Sequence, residues 1–144
     1  MVLNTESDFR LLPTFIQSKG AILNPMNNDH CSFGWAIVLF YHPNEWNMCK
    51  FKPSQRMMDR FTQHKLEKIK YPVQIGDISS IEDQLNLRIN VFTFADTLGH
   101  RRHSLYISKK RKQDEVNLFY WEGRFGWIKF LSRLFHDINK YVIY

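Results

Sequence analysis

The sequence predicts an α+β domain, with helices early in the chain and a mostly antiparallel sheet late. Three observations carry this. An unbroken apolar segment, Phe33 to Tyr41, follows a polar turn. Apolar residues then recur at helical spacing over residues 55–69. Four segments between residues 89 and 130 alternate large apolar with smaller or polar groups. Helices followed by period-two strands point to helices segregated against one sheet.

The turn is Asn24-Pro25-Met26-Asn27-Asn28-Asp29, whose Asn, Pro and Asp favour side-chain-to-backbone bonds over regular structure. The apolar run after it stops at His42-Pro43-Asn44. Pro43 cannot continue a helix and pushes His42 out of helical angles, so 33–41 reads as a short buried helix. In 55–69, Met58, Phe61, Lys65 and Ile69 share a face flanked by Met57 and Leu66, opposite a charged face. Lys70-Tyr71-Pro72 ends it. Ser79 reads as a cap for one or two helical turns through Leu85. The strands are 89–94, 104–108, 115–121 and 125–130, the last two joined by a turn at Glu122-Gly123 and all four read as a meander. Leu131, Leu134, Phe135 and Ile138 return to helical spacing.

At 144 residues the chain has the size of one domain, residues 1–144, able to bury its own core. A composition 44% hydrophobic and 15% aromatic excludes a disordered tail. The longest apolar run lies within Phe33 to Tyr41 and is far short of the ~20 residues that span a bilayer, so no membrane partner is expected. The polar N-terminus does not resemble a secretory signal. Cys31 and Cys49 therefore read as reduced thiols of an intracellular protein, cytoplasmic or nuclear and not secreted. No CxxC pair occurs and only His100 and His103 lie close together, so neither metal nor other cofactor is expected. The net charge of +6 is compatible with nucleic acid or an acidic partner.

A polar turn feeding a buried helix can activate a thiol, because the helix N-terminus presents backbone N–H groups and partial positive charge. Here that segment reads Asp29-His30-Cys31-Ser32-Phe33-Gly34-Trp35-Ala36. It resembles the nucleophile segment of OTU-like, papain-type cysteine proteases, where Asp is followed three residues later by Cys, then a bulky apolar residue, with Ala at the seventh place. Asp29, Phe33 and Ala36 match in register. Leu12 to Ile16, Asn24 to Asp29, Tyr71 to Ile78, Arg88 to Phe92, Leu105 to Lys110 and Ile128 to Leu134 continue the likeness in order. Over roughly residues 11–135 the chain is similar to the OTU-like domain of protein-primed family B DNA polymerases, as in Polinton (Maverick) elements, adintoviruses and bidnaviruses.

The resemblance implies a papain-type fold, N-terminal helices packed on the sheet, and a Cys–His–Asn/Asp centre. This chain departs from it at each member. Ser32 holds the Cys place, Arg124 the His place and Phe130 the Asn/Asp place. A serine hydroxyl needs an adjacent base, and Arg124 stays protonated. The expectation is a pseudoenzyme: a catalytically inactive OTU-like module of viral or transposon origin, binding or scaffolding a protein, such as a ubiquitin-like one, or nucleic acid. Arg124 is expected to point toward Ser32. Two alternatives remain. A one-residue shift makes Cys31 the nucleophile of an active protease or deubiquitinase, with His30, His103 or His136 as base. A nucleic-acid-binding accessory domain would use the basic run Lys109, Lys110, Arg111 and Lys112, with Arg101, Arg102 and His103 at the other end of the strand.

Overall fold

The structure is a computed structural model that describes residues 22–23, 30–44, 54–95 and 102–134. The turn with Asp29, and with it Trp46, Cys49, His100, Arg101, Phe135, His136 and Ile138, lies outside the described residues. Helix α1 (Ser32–Tyr41) is buried around its whole circumference from Ser32 to Leu39, which is why its residues are apolar on every side. Helix α2 (Gln55–Gln63) starts on Ser54, whose hydroxyl accepts the Met57 amide at 3.2 Å. It ends earlier than the spacing predicts, because Lys65 turns left-handed at φ 60° before a 3₁₀ turn at Leu66–Lys68.

Helix α3 (Ile78–Leu85) corrects the Ser79 cap: Ser79 lies inside the helix. A 3₁₀ turn at Ile75–Asp77 leads into it, and there Gln74 and Asp77 cap each other reciprocally. Asp77 accepts the Gln74 amide at 3.0 Å, which closes the 3₁₀ turn; as the N-cap residue of α3 it makes no side-chain cap bond. Asn86 closes α3 in the left-handed region at φ 57°. Helix α4 (Leu131–Leu134) follows the sheet.

The strands are β1 (Ile22–Leu23), β2 (Arg88–Phe94), β3 (Arg102–Tyr106), β4 (Glu115–Trp121) and β5 (Arg124–Ile128). Their order in the sheet is β1-β5-β4-β2-β3. The hairpin β4–β5 turns on Glu122 and Gly123, at φ 47° and 77°, the positive angles that a two-residue hairpin turn needs. Three pairings are antiparallel, but β2 and β4 run parallel, so the predicted meander is wrong at one junction. Residues 107–114, of which 107 and 108 were expected to continue the strand and 109–112 to form a loop, carry the chain from edge strand β3 past the start of β2 to β4. Period two fixes which face a residue occupies, not which strand is its neighbour.

The mixed α+β architecture is therefore as the sequence predicts. One sheet face carries the main core: Phe33, Ala36 and Ile37 of α1, Met57 of α2 and Ile78 and Ile81 of α3 meet Ile89, Val91, Val116, Leu118 and Phe125. The other face holds a smaller cluster of Phe92, Phe119, Ile128 and Leu134. Trp35 is buried, whereas Trp121 and Trp127 are only partly covered. Among the described residues no helix is long and apolar enough to cross a membrane.

Candidate functional site

The first residue of α1 and the start of β5 are brought together from 93 residues apart. The Phe125 amide donates to Ser32 Oγ at 2.9 Å. Beside this bond, Phe33 meets Phe125 edge-on, with ring centres 5.3 Å apart. Ser32 is 0% and Arg124 1% exposed. Sequence counting placed residues 32 and 124 in one site, and the backbone does bring them to one junction. The junction is closed: the serine hydroxyl accepts a backbone hydrogen bond inside the core.

The strand register refines the expectation for Arg124. It pairs with Trp121 across the hairpin and shares that residue's face, while Phe125 pairs with Tyr120 on the face of α1. Backbone at 124–125 thus abuts Ser32, and strand alternation starts the Arg124 side chain on the face of Trp121. Phe130 lies beyond the end of β5 and is 39% exposed, with the Lys129 ammonium 5.5 Å from its ring centre.

Cys31 is the N-cap residue of α1, half-buried against the main core, and its carbonyl accepts the Trp35 amide at 3.0 Å. It is a free thiol. Of the histidines, exposed His30 precedes it directly. His42 lies at the far end of α1, ~15 Å along a ten-residue helix. His103 sits on β3, separated from β5 by β4 and β2, or ~14 Å at the usual strand spacing. Of the bases proposed for Cys31, then, His30 is beside it, His103 is a sheet's width away, and His136 falls outside the described residues.

The basic run is part of the crossover. Lys110 Nζ meets Asp83 at 2.9 Å and Lys112 Nζ meets it at 3.5 Å, tying the segment to α3. The Lys110 hydrogen bond holds the Asp83 carboxyl below its usual range, and Asp83 raises Lys110 in return. Lys109 and Arg111 are exposed. The four cations are therefore not equivalent.

Two arrangements escaped sequence reading. Glu82 is fully buried, and its carboxylate accepts the Ile89 amide at 2.9 Å and the hydroxyls of Tyr106 and Ser108. Burial, and then the Glu82 hydrogen bond, push the Tyr106 phenol up. The Ser108 amide in turn donates to Asn90 Oδ1 at 2.9 Å. A signal was present: Ile78, Ile81, Glu82 and Leu85 follow the i, i+3, i+4, i+7 spacing of one helix face. The second is the pair His42 and His64, with Nε2 atoms 2.9 Å apart, for which 22 residues of separation give no local signal. Among the described residues no group of three or more His, Cys, Asp or Glu is placed to hold a metal ion.

No family model matches the chain, and no curated protein or solved structure matches it either.

Proposed function

We propose that this chain is a non-catalytic OTU-like module, derived from a protein-primed DNA polymerase of a viral or transposon-like element, that works by binding or scaffolding. The observation that carries this reading is the closed junction at Ser32. A nucleophile must reach a substrate carbonyl and keep a base within hydrogen-bond distance. Ser32 is 0% exposed and accepts the Phe125 amide, and Arg124 at the neighbouring position remains a cation. With the general base lost, oxyanion donors alone support only a residual rate. The partner is a protein, with a ubiquitin-like one first on the family likeness, or nucleic acid at the crossover. The setting is intracellular.

One observation favours a second reading. Cys31 caps a ten-residue helix and is only half-buried, the microenvironment that lowers a thiol pKa. In that reading Cys31 is the nucleophile of a hydrolase and His30 its base. A ubiquitin-derived electrophilic probe separates the two. The non-catalytic module gives no covalent adduct by intact mass. An adduct that forms with the wild type and disappears in Cys31→Ala overturns it.

A further inference from the structure

His42 and His64 close the C-terminal ends of α1 and α2. The His42 amide donates to Val38 O at 2.8 Å and the His64 amide to Arg60 O at 3.1 Å. Their side chains meet with Nε2 atoms 2.9 Å apart and ring centres 5.1 Å apart. The centre-to-centre separation is about the nitrogen–nitrogen distance plus two ring radii. The two nitrogens therefore face each other head-on, as a donor and an acceptor do. Lone pairs converging on a shared metal ion would have to be turned toward a common point. Tyr41 stacks on His64 at 4.2 Å and 7°, fixing the ring in place.

We propose that His42 and His64 form a proton-operated latch that ties the C-terminal end of α1 to that of α2 and opens when both imidazoles are protonated. A neutral pair offers one N–H and one lone pair across the gap. A singly protonated pair still does, so the bond survives the first proton. In the doubly protonated pair two N–H groups face each other with no acceptor between them and two like charges in contact. Release thus follows the second proton, a property of the pair and not of either ring.

The charged groups around the pair oppose that proton. Burial, then His42, then Arg60 hold the His64 imidazole below its ordinary 6.5. Arg60, on α2, bonds Gln63 at 2.9 Å. From α1 the facing group is Tyr41, whose phenol is pushed up by burial and then by Asp114. The folded state therefore binds fewer protons than the unfolded one. The latch is fully closed above the ordinary imidazole pKa and is lost as pH falls below it.

An NMR titration of the histidine rings from pH 8 to pH 5, with amide exchange measured alongside, tests this. The His64 ring is expected to titrate below 6.5, and to move back toward it in His42→Gln, as coupling between the two rings requires. Between 6.5 and that depressed titration, protection at the His42, His64 and Lys65 amides should fall about tenfold per pH unit, as for one proton taken up on opening, and level off below it, while β4 stays protected. His64→Gln and, separately, His42→Gln should abolish that fall. Independent single titrations with flat protection factors overturn the latch, as does an equal fall in both variants. The wild-type titration decides by itself, so a variant that fails to fold leaves the result intact.

Discussion

The two ends of α1 are held by different chemistry. At the N-terminal end Ser32 and Phe33 pack against Phe125, and there the Ser32 hydroxyl accepts a backbone amide. At the C-terminal end His42 meets His64 through a bond that depends on one imidazole nitrogen staying unprotonated. The Ser32 contact involves no titratable group, whereas the His42–His64 contact joins two. The resemblance points to the end with buried Ser32 and says nothing about the end with His42.

The largest effect should come from unseating the sealed end. Phe33→Ala removes a fully buried ring that packs on Phe125 and should cost ~3–5 kcal/mol in urea unfolding. A loss below ~1 kcal/mol would mean that α1 is not anchored there. Ser32→Ala leaves the buried Phe125 amide without its acceptor and should cost ~1–3 kcal/mol by the same measurement.

Gly34→Ala probes the middle of the helix. A Cβ there would lie 2.4 Å from Tyr71 Oη and 2.5 Å from Phe61 Cε2. Overpacking costs ~1–3 kcal/mol, against up to ~1 kcal/mol gained in helix propensity, so a net loss is expected. A more stable variant would show that Phe61 and Tyr71 can yield, and that α1 and α2 are loosely joined between their ends.

The smallest effects belong to the exposed crossover. Removing Lys110 and Lys112, which share Asp83, should barely move the thermal midpoint, because exposed ion pairs contribute little. In an anisotropy titration with duplex DNA, Lys109→Ala with Arg111→Ala should flatten the log–log salt slope by up to ~1.8, about 0.9 per phosphate. Changing Lys110 and Lys112 should flatten it less. A zero slope in the wild type removes nucleic acid as a partner of this loop.

Much of this frame was legible in the sequence, and the reasons differ by element. Residues 89–94 alternate in the sequence, so their faces could be read directly, and Glu122-Gly123 marked its turn by the angles that it must adopt. Strand order could not be read, because nothing local told Glu115 to lie parallel beside Arg88 after a crossover. The α2 boundary failed at Lys65, a residue with no intrinsic preference for the left-handed region that it occupies. At the candidate site, a shared location for residues 32 and 124 was legible only as something the resemblance implied. Its closure was not, because burial of Ser32 depends on Phe33 and Phe125 packing across the sheet. Glu82 was legible in spacing and passed over, since a carboxylate on an apolar face reads as surface until its donors Tyr106, Ser108 and Ile89 are placed.

The most direct test of the sealed junction is amide exchange at Phe125, in the wild type and in Ser32→Ala. The closed junction predicts that this amide exchanges as slowly as the protected amides of β4 and that Ser32→Ala speeds it at least roughly fivefold, the counterpart of about 1 kcal/mol. A Phe125 amide that exchanges freely in the wild type, with no change on losing the hydroxyl, would mean that Ser32 is open to solvent and would contradict the account.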